Sequence, residues 1–125
     1  MEMSTVAKKI LIADDESEFV MFLRRKLENM GYEVEESYRG SEVVGKILNE
    51  DVDLLILDYA MPDMRGDEVC DHIRETKQLK NLPIILVTAY QNVNERVFRD
   101  MGVEDILFKP VDDRELSARL QKYLG

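Results

Sequence analysis

The sequence predicts an α/β fold in which a parallel sheet is buried between helices. Two observations carry that expectation. Short, nearly continuous apolar runs occur at residues 10–13, 54–57 and 84–87, with weaker ones at 33–36 and 106–108. Such runs are what strands buried on both faces require. Segments of helical length alternate with them, at 16–30, 41–50, 67–77, 92–101 and 112–124, and alternation of this kind builds parallel sheets through helical crossovers.

The helix ends carry their own signals. Gly31 follows Met30 and Gly102 follows Met101, each where a left-handed C-terminal cap belongs. Ser41 and Asp112 stand as N-caps. In the first helix, Phe19, Leu23, Leu27 and Met30 form an apolar stripe directed at the core, which leaves Val20, Met21 and Phe22 in surplus. Right-handed crossovers leave few topologies, and the expected one is flavodoxin-like: a doubly wound (βα)5 unit with strand order 2-1-3-4-5. Ligands of such sheets bind beyond the carboxyl ends of the strands.

Length and composition bound the rest. A chain of 125 residues predicts one domain over 1–125, with a core from about residue 8 to 124. The formal net charge of −9 repels phosphate backbones, so no direct contact with nucleic acid is expected. Cys70 is the single cysteine and His72 the single histidine, which excludes an internal disulfide and a cysteine-rich zinc site. No apolar stretch has the length of a membrane span and no signal-peptide pattern is present. The expected location is cytoplasmic, without membrane insertion.

The strand ends hold the chemistry. The first strand runs into Asp14-Asp15, the third ends in Asp58, the fourth in Thr88 and the fifth in Lys109-Pro110. Three carboxylates in one crevice need a compensating cation, and Lys109 supplies only one charge. Oxygen ligands with open positions suit Mg²⁺, with Mn²⁺ as a substitute. Such a site can hold a phosphoryl group in line with a carboxylate nucleophile, and Asp58, alone at the end of the central strand, fits that role. Thr88 can donate to one phosphoryl oxygen and Lys109 pair with another. In the loop after Asp58, Pro62 keeps Met61 extended and Gly66 allows a positive-φ turn. Taken singly, each of these residues has a plainer reading: Asp14-Asp15 as a helix cap, Thr88 as a strand residue, Lys109 as a surface lysine.

As a set, Asp14-Asp15, the run Asp58-x-x-Met61-Pro62-x-x-x-Gly66, Thr88-Ala89 and Lys109-Pro110 resemble the receiver domain of two-component response regulators, the CheY-like superfamily, over about residues 8–124. The resemblance implies that Asp58 accepts a phosphoryl group from a histidine kinase or a histidine phosphotransfer protein. It implies that Asp15 and Asp58 ligate Mg²⁺ directly, that Asp14 acts through water, and that the Ala60 backbone carbonyl completes the protein ligands. Thr88 becomes the switch hydroxyl and Lys109 the phosphoryl counter-ion, next to a cis Lys109-Pro110 bond. A downstream protein target would read the surface of the fourth helix and fifth strand, including Arg96, Arg99, Ile106 and Phe108. Phe22 is the expected exposed contact of a partner on the first helix. One departure stands out: the family usually has Tyr or Phe where this chain has Ile106. Neither Ala60 nor Tyr90, two residues after Asp58 and Thr88, suits the positioning of an attacking water, so slow self-dephosphorylation is expected.

Other readings fit less well. A Mg²⁺-dependent phosphohydrolase of the haloacid-dehalogenase type needs an acid/base aspartate where Ala60 stands. A receiver-like module that is never phosphorylated does not need the full acidic set. A flavin site would have its phosphate repelled by Asp14-Asp15. An external enzymatic substrate is not expected. His72 is placed with Asp71, Arg74 and Glu75 on a solvated face, and Cys70 in the core.

Overall fold

The computed structural model describes residues 6–89 and 94–125. Five strands form one parallel sheet: β1 (Lys9–Ala13), β2 (Glu33–Ser37), β3 (Leu54–Asp58), β4 (Ile84–Thr88) and β5 (Asp105–Phe108), in the order β2-β1-β3-β4-β5. The helices are α1 (Ser17–Asn29), α2 (Val43–Glu50), α3 (Gly66–Glu75), α4 (Glu95–Asp100) and α5 (Asp113–Leu124). Short 3₁₀ turns at Gly40–Glu42 and Lys77–Leu79 lie before α2 and after α3. This is the doubly wound fold expected from the sequence. Residues 92 and 93, where the fourth helix was expected to begin, lie outside the described residues, as does Tyr90.

Alternation along the strands divides the core in two. Ile10, Ile12, Leu54, Ile56, Ile85, Val87 and Leu107 face α1 and α5, where they meet Val20, Leu23, Leu27, Leu116 and Leu120. Leu11, Leu55, Leu57, Ile84, Leu86 and Ile106 face the other helices, meeting Ile47 of α2, Ile73 of α3 and Phe98 of α4. The central β3 and β4 are buried along their whole length. Edge strand β2 carries Glu33, Glu35 and Glu36 around its one apolar residue, the buried Val34.

Several local expectations are corrected. Val20 is fully buried, whereas Met30 lies beyond the last residue of α1 and is 38 % exposed. Ser41 sits inside the 3₁₀ turn, and α2 starts only at Val43. Arg74 is not merely a solvated neighbour of exposed His72: its guanidinium reaches into the loops before β4 and β5. Gly66 does not have a positive φ. It is needed for close approach, since a Cβ there would lie 3.1 Å from the Tyr59 Cα. Gly31 and Gly102 do adopt positive φ, at 98° and 89°. Asp112 caps α5, its side chain accepting from the Glu115 backbone N–H. Cys70 is buried, and burial pushes its thiol pKa up to about 12.

The loop between β3 and α3 is tied to the start of α2. The Asp63 carboxylate accepts from the backbone N–H groups of Gly40 and Ser41, at 2.8 and 3.0 Å. A Cβ on Gly40 would come within 2.8 Å of the Met64 Cβ and 3.1 Å of Val69. Gly40→Ala is therefore expected to destabilise the protein by about 1–3 kcal/mol through overpacking, read from the midpoint of urea unfolding. An unchanged midpoint would show that the loop yields at no cost.

Candidate functional site

The parallel register places the ends of β1, β3, β4 and β5 side by side. Asp58 is level with Val87, and Thr88 with Phe108. The Asp14 N–H extends the sheet by donating to Ser37 O. This brings Asp14, Asp58 and Thr88 under cover, at 1 %, 7 % and 1 % exposure, with Ser37 of β2 also buried, while Asp15 stays exposed. One carboxylate oxygen from each of Asp14, Asp15 and Asp58 lies within 4.8 Å of the others. A cleft of about 320 Å³ opens above them, lined by Asp15, Glu16, Asp58, Ala60, Ala89 and Lys109. A larger hollow of about 490 Å³ lies elsewhere, between α2 and α3 beside Ser41, Met64 and His72, away from the carboxylates.

Lys109 reaches into the cluster from the end of β5, just before the cis Lys109–Pro110 bond. Its backbone N–H donates to Thr88 O, which joins the ends of β4 and β5. Its Nζ lies 2.9 Å from Asp14 Oδ2, 2.6 Å from Glu16 Oε1 and 3.7 Å from Asp58 Oδ1. The other oxygen of Asp14 accepts from the Glu16 N–H, so Asp14 also shapes the turn into α1.

The electrostatics follow from crowding. Burial and the nearby charge of Asp14 push the Asp58 pKa up to about 6, against the pull of Lys109. Burial also raises Asp14, while the Glu16 N–H and Lys109 oppose it. Burial works against the charge on Lys109, but hydrogen bonds to Glu16 and Asp14 outweigh it and raise its pKa. Two carboxylates whose ionised forms burial disfavours, beside a third carboxylate and one lysine, form a donor set that fits a hard divalent cation.

The sequence-based residues Asp14, Asp15, Asp58, Ala60 and Lys109 thus meet at one cleft, and Thr88 ends the adjacent strand. The expected contact residues are scattered. Phe22 is 58 % exposed on α1. Phe108 is half-buried against the core. Ile106 is only 8 % exposed, which corrects its placement on an outward surface: it points from β5 into the core beside Phe98. Arg96 and Arg99 are exposed on α4.

Three features were not anticipated. Glu16 pairs with Lys109, but an acid at a helix start usually needs no explanation beyond the helix dipole. Phe19 lies beneath the Lys109 ammonium, 4.3 Å from ring centroid to Nζ. Tyr59 packs on Phe98, with ring centroids 5.2 Å apart, and so joins the residue after Asp58 to α4.

Comparison with known proteins agrees with this geometry. Residues 10–121 match the family model described as the response regulator receiver domain. The alkaline phosphatase synthesis transcriptional regulatory protein PhoP of Bacillus subtilis is 36 % identical over 118 residues, which is 94 % of this chain and 48 % of that protein. Response regulator ArlR of Staphylococcus saprophyticus is 36 % identical over 93 % of this chain and 52 % of its own length. The chain therefore spans about half the length of these relatives. Among solved structures, the chemotaxis protein CheY4 of Vibrio cholerae superposes with a TM-score of 0.87 at 29 % identity, covering 95 % of this chain and all of that one (100 %). The receiver domain of sensor histidine kinase PA1611 from Pseudomonas aeruginosa, solved with a magnesium ion coordinated in its active-site cleft, gives 0.88 at 26 % identity, covering 96 % and 99 %.

A doubly wound sheet with an acidic cleft and a lysine at its strand ends defines a phosphorylation-based signalling switch. The chain belongs to the response regulator receiver domain family of two-component systems.

Proposed function

We propose that residues 8–124 act as a single receiver domain that accepts a phosphoryl group on Asp58 from the phosphohistidine of a histidine kinase or phosphotransfer protein, in a Mg²⁺-dependent reaction. The observation that carries this reading is the convergence of Asp14, Asp15 and Asp58 within 4.8 Å beside the Lys109 ammonium. Asp15 and Asp58, with Asp14 through water and the Ala60 carbonyl, would hold the ion. When bound, Mg²⁺ supplies positive charge that offsets the carboxylates and the incoming phosphoryl oxygens. An Asp58 oxygen attacks phosphorus as the bond to the donor histidine breaks, and the imidazole leaves with the electron pair. Lys109 offsets charge on the transferred group and Thr88 donates to one of its oxygens. The new charge of roughly −1.5 to −2 then biases the surface around α4 and β5, where Arg96, Arg99 and Phe108 meet a protein target. Phe22 is a contact for the phosphoryl donor. The net charge of −9 argues against nucleic-acid contact by this chain. Among the described residues no helix is long and apolar enough to cross a membrane, which accords with a cytoplasmic role.

The test is intact-mass measurement after incubation with acetyl phosphate, with and without Mg²⁺. The expected result is a gain of one phosphoryl group that needs Mg²⁺ and is absent in Asp58→Asn. No gain from acetyl phosphate or from a histidine kinase would favour a receiver-like module that is never phosphorylated.

A further inference from the structure

The partners of Lys109 are unevenly placed. Glu16 Oε1 at 2.6 Å, Asp14 Oδ2 at 2.9 Å and the face of Phe19 at 4.3 Å all belong to the segment from the end of β1 into α1. Asp58 is farther, at 3.7 Å. Of the two nearer carboxylates, Asp14 is buried and fixed by the Glu16 N–H. The Glu16 side chain is 63 % exposed and lines the cleft mouth. It is thus free to rotate into water, whereas Asp14 is not.

We propose that Glu16 is a positioning residue that holds Lys109 back from Asp58 and competes with the incoming phosphoryl group for its ammonium. The inference rests on Asp58 being the acceptor. With Glu16 and Asp14 each taking a proton and the Phe19 ring beside it, the ammonium is drawn to the α1 side of the cleft, and it must shift away from Glu16 to pair fully with a phosphoryl oxygen on Asp58, whose Oδ1 is 3.7 Å away. Glu16 also adds a negative charge where an anionic donor enters. Its effect is to slow phosphorylation while leaving the fold alone, since the side chain packs on nothing it would leave empty. An exposed pair of this kind is worth a modest factor, so its removal should raise the phosphorylation rate about two- to fivefold.

The experiment measures the rate of phosphoryl gain from acetyl phosphate with Mg²⁺ by intact mass in wild type, Glu16→Gln, Glu16→Asp and Glu18→Gln. Glu18 is an exposed acid in the first turn of α1, so Glu18→Gln removes one charge from the same turn. Aspartate at position 16 keeps the charge but falls one methylene short of Lys109. The expected result is faster gain in Glu16→Gln and in Glu16→Asp, with Glu18→Gln at the wild-type rate. The Lys109 ¹³Cε NMR signal, assigned by its loss in Lys109→Arg, is expected to move in both Glu16 variants before any donor is added. Thermal melts of both should match wild type. Glu16→Gln at the wild-type rate, or acceleration in it but not in Glu16→Asp, would overturn the proposal, the second by showing that charge alone acts. A wild type that gains no phosphoryl group would instead overturn the acceptor reading, and this inference with it.

Discussion

Arg74→Met is expected to lower stability by about 3 kcal/mol, with the melting temperature falling by roughly 10 °C. The Arg74 guanidinium donates to the carbonyls of Leu79, Lys80 and Leu82 at 3.1, 3.0 and 2.9 Å, and to that of Gly102 at 2.5 Å. It also pairs with Glu104, which in turn accepts from the Ile84 N–H. One side chain thus closes the end of α3, the loop into β4 and the loop into β5. Methionine keeps the stem but leaves these carbonyls and a half-buried carboxylate without their donor. Lysine should rescue little, because one ammonium cannot span the same acceptors. Burial already raises the Glu104 pKa, and the Ile84 N–H and Arg74 oppose that rise. Without Arg74 the carboxyl climbs further. A folded-state acid with a raised pKa holds its proton more tightly than the unfolded chain does, so stability falls as pH rises through that pKa. The deficit should be larger at about pH 8 than at about pH 4. A loss below about 1 kcal/mol at both would mean that water replaces the guanidinium without difficulty.

Asp58→Asn is expected to make the protein more stable, not less, when divalent cations are chelated at about pH 8, by about 1–2 kcal/mol. Burial and the Asp14 charge hold the Asp58 pKa at about 6, above its ordinary 3.8. Its ionised form is therefore disfavoured by the fold. The sign is that of Glu104: the folded state keeps the proton, so wild type is relatively favoured below the ordinary carboxylate value and loses stability as pH rises from there through about 6, above which the loss is complete. The amide has no charge to desolvate. The gap should narrow as pH falls below about 6 and close only toward about pH 2–3, below the ordinary carboxylate value, where the carboxyl is protonated in both states. Mg²⁺ should restore wild type more than the variant. Melts of both proteins in chelator across that range decide it: equal stability throughout would mean that the crowding of carboxylates carries no cost. A site that opposes its own fold until a cation arrives is a common trade of stability for function.

Much of this was legible in the sequence, for identifiable reasons. Buried parallel strands need unbroken apolar runs, so residues 10–13, 54–57 and 84–87 marked the sheet. A strand's last residue is fixed by its run, so Asp58, Thr88 and Lys109 could be placed at one end of it. What stayed hidden depended on distance or phase. On α1, Leu23 and Leu27 face the core as expected and Phe19 packs against it, but Met30 lies past the end of the helix and Val20, set aside as surplus, is buried. Ile106 was taken as a surface residue because an edge strand has no pattern to show which face is covered. Arg74 looked ordinary because four of its acceptors are backbone carbonyls, which leave no trace in sequence, and the fifth, Glu104, is 30 residues away. Gly66 was assigned the wrong reason for being glycine, since a tight approach and a positive φ call for the same residue.

The acids along β2 also affect how the molecule meets its own kind. An open sheet margin invites another chain to dock as an extra strand, the first step toward ordered aggregates. Glu33 and Glu35 make that margin repel a second copy at neutral pH, whereas Glu36 is paired with Arg24. Crowded solutions of this protein should therefore not assemble across that margin.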